Sequence, residues 1–178
     1  MDLIFNPIVK IKDISLKNSK EQIKNKIIEL DVFRELHEQI NDFYNFRYYT
    51  FKIISLISIL GSTVSFLSLV PFYIPNILAS IGLSSTLILL LFQFEKKAIP
   101  HKLAVKKLKS IKVELELIYN MFKDKNQIDD EMIMNFLLYI FKATQIICEL
   151  PGVPRQFRKK EKNLMKSNDI KKSTNSFI

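Results

Sequence analysis

The sequence contains few of the residues on which enzymes and metalloproteins depend. Its 178 residues include one cysteine, two histidines and three glycines. A single thiol, Cys148, excludes a disulfide within the chain and implies no oxidising compartment. His37 and His101 lie far apart and form no metal-ligand motif, and we expect the first on a helix surface and the second at headgroup level. Since phosphate-binding loops and nucleophile motifs are also missing, we predict a protein that is not an enzyme and uses no cofactor or metal.

Charge is also missing from a long central stretch, because no charged side chain lies between Lys52 and Glu95. The stretch is interrupted only by a proline-flanked turn at 71–76, which leaves two apolar segments, 53–70 and 77–94. A transmembrane helix needs about 17–20 such residues, so each segment suffices. The alternative, a soluble bundle, is less favoured because core helices of a small protein usually keep a polar face. We therefore predict a two-helix transmembrane hairpin.

Basic residues flank the uncharged stretch on its outer ends. They are Arg47 and Lys52 before it and Lys96, Lys97 and Lys102 after it. The turn between the two segments has none, so the positive-inside rule places both termini in the cytoplasm. Residues 1–18 form an N-terminal tail without the pattern of a secretory signal, and insertion is expected to depend on the hairpin itself.

Small residues follow a helical rhythm inside both apolar segments. They are Ser55, Ser58, Ser62 and Ser65 in the first segment and Ala79, Gly82 and Thr86 in the second. Such stripes let transmembrane backbones approach closely, and their hydroxyls can bond across the contact. Two interpretations stay open: the stripes hold the hairpin together, or they line a polar path when several hairpins associate.

The remaining sequence predicts helices on the cytoplasmic side. Residues 19–52 carry apolar side chains every three or four positions and are expected to run into the first span. In the region 95–150, Pro100 is expected to break or kink the exit from the second span. A heptad-like seam then follows, which consists of Ala104, Leu108, Ile111, Leu115, Ile118 and Phe122. Because the seam is short for an independent coiled coil, we expect it to pack on the first cytoplasmic helix, with self-association left open.

A further helix is predicted after the polar break at 124–127. Asp129 or Asp130 can cap it, and one face carries Met132, Phe136, Ile140, Thr144 and Ile147. Lys142 lies in this apolar segment, and a central lysine costs about 2.5–3.5 kcal/mol on insertion scales, which argues against a third span. The segment is expected in the cytoplasmic bundle or at the bilayer surface. The predicted fold class is therefore an all-α membrane protein, with a transmembrane hairpin and cytoplasmic helices packed as a small bundle.

The end of the sequence, 151–178, is a basic tail that we expect to be disordered. Candidate lipid-contacting residues are Arg155, Arg158, Lys159 and Lys160 in the tail, together with Lys96, Lys97 and Lys102. Each basic residue beside an anionic leaflet contributes about 1 kcal/mol. Nucleic acid is not expected as a partner because no base-reading module accompanies the tail. Plain solvation of the tail is an equal alternative to lipid contact.

The order of these features resembles the SLATT group of two-transmembrane proteins. The resemblance covers roughly 19–153 and includes the run FEKKAIPHKLAVKKLKSIKVELELIY, which follows the hairpin, and the stop ELPGVP. It implies an effector of conflict systems that forms oligomeric membrane pores when a linked sensor or nucleotide-signal producer is triggered. It carries no binding residues over to this chain.

Two functions are therefore expected as alternatives. In the first, the chain is a membrane effector that assembles into homo-oligomers and forms a pore or perturbs the bilayer. In the second, it is a non-enzymatic anchor or scaffold that recruits a partner through its cytoplasmic helices and basic tail.

Overall fold

The computed structural model describes the backbone of residues 7–68, 71–123, 130–164 and 166, and the side chains of 20–68, 71–121, 134–164 and 166. Within these ranges the chain is helical and contains no strand, which confirms the all-α prediction at that level. The elements are α1 (Pro7–Leu67), α2 (Tyr73–Phe92), α3 (Phe94–Lys123), α4 (Asp130–Cys148) and a 3-10 turn at Arg155–Phe157.

The chain divides into two compact units. The core unit comprises Met1–His37 and Leu103–Ile178, and the hairpin unit comprises Glu38–Lys102. The boundaries fall within α1 and α3, so each of these two helices contributes residues to both units.

Helix α1 is longer than the sequence pattern indicated. It begins at Pro7, whereas we expected a tail over 1–18, and it continues through Lys52 without a break. Proline is well suited to the first turn of a helix because the N–H that it lacks would have no partner there. The continuity through Lys52 agrees with the expected run of the first cytoplasmic helix into the first apolar segment.

The helix break after the second apolar segment lies at Gln93, and not at Pro100. Gln93 adopts a left-handed conformation, with φ 45° and ψ 47°, and its N–H donates to the Leu89 carbonyl at 3.1 Å. A left-handed residue ends the helical ladder, whereas Pro100 removes a single hydrogen bond and α3 continues through it. A break at Pro100 was therefore wrong, whereas a kink there stays a prediction.

Helix α2 also begins earlier than expected, at Tyr73, within the predicted turn 71–76. The Ile74 N–H donates to the Pro71 carbonyl at 3.0 Å, which forms the first turn. Pro75 is tolerated because it lies in that turn.

The core unit is held together by apolar side chains from three helices. Leu30 of α1, Leu108, Ile111 and Leu115 of α3, and Ala143 of α4 are buried in one cluster. A second cluster joins Ile23 and Phe136, with Ile118 packed against it.

The heptad-like seam is therefore largely covered within the chain. Its members Ala104, Leu108, Ile111 and Leu115 are buried. The side chain of Phe122 lies outside the described residues.

Ion pairs connect the helices of the core unit at its surface. Lys112 donates to both carboxylate oxygens of Asp31, at 2.8 and 2.7 Å, and this hydrogen bond raises the pKa of Lys112. Two further ion pairs involve α3: Glu114 with Lys142 of α4 at 2.8 Å, and Lys107 with Glu149, the residue after α4, at 3.6 Å. The earlier residue on α3, Lys107, pairs with the later residue, Glu149, and the later residue on α3, Glu114, pairs with the earlier residue, Lys142. The two helices therefore run antiparallel.

Three local predictions for the core unit differ from the structure. His37 is buried, with 1% of its surface exposed, and does not lie on a helix surface. Thr144 is exposed and donates to the Ile140 carbonyl at 2.9 Å, while Ala143 takes the buried position beside it. The tail, which we expected to be disordered, is ordered at its start: after the 3-10 turn at Arg155–Phe157, residues 158–164 are helical.

Candidate functional site

The hairpin unit contains two helices that are long and apolar enough to cross a membrane, α1 and α2. Large apolar side chains cover their outer surfaces, including Leu56, Val64, Leu83 and Leu90, which are all more than half exposed. The contact between these two helices is the candidate site, because the polar groups of both helices converge there.

Hydroxyl groups bond across this contact. The Ser55 Oγ lies 2.7 Å from the Thr86 Oγ1 and 3.4 Å from the Gly82 carbonyl, to which it donates. Near the connection between the two helices, the Ser62 hydroxyl donates to the Pro75 carbonyl at 3.0 Å. A hydrogen bond of this kind contributes only about 0.5–1.5 kcal/mol net to stability.

Close packing at Gly82 accounts for the approach of the two backbones. A Cβ atom at Gly82 would lie 3.1 Å from Ile59 Cγ1 and 3.3 Å from Ser58 Cβ. At Gly61, a Cβ atom would lie 3.3 Å from the Leu78 Cδ1, which is the end of a flexible side chain. A side chain at Gly82 therefore requires Ile59 and Ser58 to shift by a few tenths of an ångström.

Some of the small residues that follow a helical rhythm in the two apolar segments lie at this contact. Ser55, Ser58 and Gly82 are buried, and Ser62, Ser65, Ala79 and Thr86 are half-buried. Within one chain, the hydroxyls of Ser55 and Ser62 serve the hairpin contact. Sequence reasoning missed Ser85, which is also buried, and the Pro75 carbonyl.

A second polar line lies on the outward side of α2. Asn76, Ser80 and Ser84 follow one another at intervals of four residues and are exposed. They line an open groove of about 570 Å³, whose other walls are Tyr73, Ile77, Ile81, Ser85 and Ile88. The Ser80 hydroxyl donates to the Asn76 carbonyl at 2.8 Å. The four-residue spacing in this line was present in the sequence but was overlooked beside the denser serine stripe of the first segment.

Aromatic rings and basic side chains gather at one end of the hairpin unit. Phe94 is buried and stacks on Phe51 and Phe92, with ring centroids 6.0 and 5.5 Å apart. Arg47 lies 4.2 Å above the ring of Phe43. The basic residues predicted to flank the segments are all exposed: Arg47, Lys52, Lys96, Lys97 and Lys102. The corresponding tail residues, Arg155, Arg158, Lys159 and Lys160, are exposed as well.

His101 is buried at the same end of the hairpin unit, with 5% of its surface exposed. Its ring stacks on Tyr44, with centroids 6.2 Å apart and an angle of 27° between the planes. Burial lowers the pKa of His101 below its ordinary value, because an apolar environment disfavours the imidazolium ion. His101 is therefore packed within the hairpin unit, and its expected position at headgroup level stays a prediction.

Acid is expected to destabilise the hairpin unit through His101. The unfolded chain takes up a proton near the ordinary pKa of about 6.5, whereas the folded chain does so only at lower pH. The contribution of neutral His101 to the free energy of unfolding is therefore fully present above pH 6.5. It falls as the pH drops towards the lowered pKa of the folded state, by at most about 1.4 kcal/mol per pH unit. Thermal unfolding of the wild type should show this loss, while His101→Phe, which keeps an aromatic ring against Tyr44, should show less of it. Equal pH dependence in both proteins would contradict the prediction.

Comparison of the chain with protein-family models, with curated proteins and with solved structures found no match in any of the three. Among the described residues, no group of three or more His, Cys, Asp or Glu side chains could hold a metal ion. Function is therefore inferred from the geometry of the hairpin unit and the charge around it.

Proposed function

We propose that the chain is a two-span membrane effector whose copies associate and form a pore or perturb the bilayer. The observation that carries the proposal is the exposure of the apolar helices: only 11% and 17% of the most apolar windows of α1 and α2 are buried. The core helix of a soluble protein is mostly buried, and so much apolar surface would be unfavourable in water. Lipid as the solvent for these two helices removes that cost.

The orientation that we propose has both termini in the cytoplasm. Exposed basic residues are found at the outer ends of the two apolar segments and not between them, in agreement with the positive-inside rule. The aromatic rings beside them, such as Phe51 and Phe94, fit the level of the membrane interface. Exposed lysines and arginines in this band and in the tail would contact anionic headgroups.

The resemblance to the SLATT group supports the effector part of the proposal. It implies a role in conflict or antiviral defence, with opening controlled by a sensor or a nucleotide-signal-producing protein. The partners proposed are therefore the lipid bilayer, further copies of the same chain and such a sensor. Nucleic acid is not proposed as a partner.

Within the proposed pore, the outward polar line of α2 is the better candidate for the lumen. Two hydroxyls of the first serine stripe, those of Ser55 and Ser62, are engaged within the hairpin. Asn76, Ser80 and Ser84, by contrast, are exposed along the groove on α2. In an assembly, a polar line is more favourable facing water than lipid hydrocarbon.

Dye release from liposomes tests the proposal. We expect purified protein to release dye, and the double variant Ser80→Leu/Ser84→Leu to release several-fold less. Thr63→Leu is the matched control, because Thr63 is also exposed and its hydroxyl bonds to the carbonyl four residues earlier, at 2.9 Å, as that of Ser80 does. Impermeable liposomes with wild-type protein, with and without nucleotide signals, would contradict pore formation.

A second candidate function is that of a membrane anchor or scaffold. It is favoured by the hydrogen bonds that Ser55 and Ser62 make within the hairpin. A hairpin whose hydroxyls are bonded internally does not require a second copy of the chain to bond them. Replacing residues 53–94 by an unrelated two-span hairpin distinguishes the two functions. An anchor should keep its activity after this replacement, whereas a pore should lose it.

A further inference from the structure

The basic side chains of the hairpin unit all lie outside its two apolar segments. They are here called the basic band and consist of Arg47, Lys52, Lys96, Lys97 and Lys102, which are all exposed. The acidic residues of the unit are Glu38, Asp42 and Glu95. Five positive charges against three negative ones give the hairpin unit a net charge of +2 in each copy of the chain.

Two ring contacts place both halves of the basic band at the same end of the hairpin unit. Phe51 stacks on Phe94, with ring centroids 6.0 Å apart, and Tyr44 stacks on His101 at 6.2 Å. The contacts are seven residues apart on each helix, or about 10 Å along a helix axis. Every member of the band lies between them or one residue beyond them. Because the Debye length is about 8 Å in physiological salt, charges spaced over such a band act together on a passing ion.

The positive charges of the basic band are not neutralised by ion pairs. Within the ranges whose side chains are described, no carboxylate lies within ion-pair distance of any member. In the core unit, by contrast, Lys112 and Lys142 are paired with Asp31 and Glu114.

Three members of the basic band lie over aromatic rings instead. The distances from cation to ring centroid are 4.2 Å for Arg47 and Phe43, 5.4 Å for Lys52 and Tyr48, and 5.9 Å for Lys97 and Phe92. Contact with an aromatic face attracts a cation but supplies no negative charge to cancel it. The band is therefore a set of positioned, uncompensated positive charges.

The rest of the proposed path has no charge with which to distinguish ions. No charged residue lies between Lys52 and Glu95, which includes the turn at 71–76. The groove on α2 is lined by the amide of Asn76 and the hydroxyls of Ser80 and Ser84, groups that can both donate and accept hydrogen bonds and so solvate ions of either sign. Discrimination between anions and cations therefore depends on the basic band.

We infer that the pore of the proposed function passes anions in preference to cations, and that the basic band selects them. The inference rests on the proposed function, because it names the class of solute that the same pore carries. Rings of lysine and arginine favour anions in pores, and each added copy of the chain adds its own charges to the ring. A local potential of one kT concentrates monovalent anions and depletes monovalent cations, each by a factor of about 2.7, so their ratio changes about sevenfold.

The positive-inside rule accounts for the same residues by orientation alone. If orientation were their only role, the basic side chains would contact headgroups, and the flow of ions would not depend on the sign of their charge. The two roles are thus separated by a measurement of ion selectivity.

Conductance across bilayers of phosphatidylcholine tests the inference, because this lipid adds no net charge of its own. With full-length protein in a roughly tenfold gradient of potassium chloride, the reversal potential should give a permeability ratio of chloride to potassium of roughly three or more. The double variant Lys96→Gln/Lys97→Gln, which brings the net charge of the hairpin unit to zero, should lower this ratio to about one. The matched control, Lys24→Gln/Lys109→Gln, removes the same charge from exposed lysines of the core unit and should leave the ratio unchanged.

A second measurement uses the wild-type chain alone. Raising the salt concentration from about 0.1 M to about 1 M shortens the Debye length from about 10 Å to about 3 Å. The preference for chloride should therefore fall towards a ratio of one in the concentrated salt.

Two results would overturn the inference and leave the pore in place. One is conductance by the wild type with no preference for chloride, or with a preference for potassium. The other is a chloride preference that neither Lys96→Gln/Lys97→Gln nor concentrated salt reduces. Absence of any conductance would contradict the proposed function itself, and the inference with it.

Discussion

Replacing Gly82 by leucine is expected to separate α1 from α2. The first added atom alone would lie 3.1 Å from Ile59 Cγ1 and 3.3 Å from Ser58 Cβ, and leucine adds three further carbons. Overpacking of this kind costs about 1–3 kcal/mol, or roughly 5- to 150-fold in the equilibrium between closed and open hairpins. A disulfide between Ser55→Cys and Thr86→Cys in a Cys148→Ser background can report closure, because the native hydroxyl oxygens are 2.7 Å apart.

The control for this experiment is a second glycine. Gly152 has no heavy atom within 4 Å of the position of an added Cβ, and its φ is not positive. Gly152→Leu should therefore leave disulfide formation between positions 55 and 86 unchanged. If Gly82→Leu forms this disulfide as readily as the parent, the hairpin contact is not limited by packing at Gly82.

Replacing Leu108 by alanine is expected to destabilise the core unit by about 2–5 kcal/mol. Leu108 is fully buried in the cluster with Leu30, Ile111, Leu115 and Ala143, so its removal leaves a cavity between helices. Amide hydrogen exchange along α3 should accelerate by roughly 30-fold or more, the factor that corresponds to the lower limit of this range.

Leu103→Ala serves as the matched control for Leu108→Ala. Leu103 lies five residues earlier on α3 and is 54% exposed, so the same truncation removes little buried surface. Exchange along α3 should then change by less than a few-fold. Comparable acceleration in both variants would show that burial in the cluster does not decide the stability of α3.

Periodicity in the sequence was sufficient to predict the helices and most of the buried residues of the core unit. Leu30, Leu108, Ile111 and Leu115 each recur at three- or four-residue intervals with polar residues between them, and each is buried. The error at Thr144 has a physical cause, because a threonine hydroxyl can bond to the carbonyl four residues earlier and remain exposed.

Helix ends were harder to predict from single residues. Pro100 suggested a break, but the break is at Gln93, a residue whose type gives no sign of a left-handed conformation. Pro71 and Pro75 suggested a turn, but α2 begins between them. Pro75 lies in the first turn of α2, where the N–H that it lacks would have no partner, whereas Pro100 costs α3 one hydrogen bond without ending the helix.

The candidate site was predicted in part. The serine stripe indicated a helix contact, and Ser55 and Ser62 do bond to α2. Which side of each helix faces its neighbour, however, depends on rotation about the helix axis, and spacing within one helix does not determine that rotation. This is why Ser85 and the outward line with Ser80 and Ser84 were not anticipated.

The self-contained bonding of the hairpin has a practical consequence for purification. The hydrogen bonds of Ser55 with Thr86 and of Ser62 with Pro75 lie within the hairpin unit and involve no charged group. For the proposed membrane effector, solubilisation in mild detergent should therefore leave each hairpin closed while it dilutes the copies away from one another. Extracted protein that has lost its activity should regain it once it is returned to bilayers at high density.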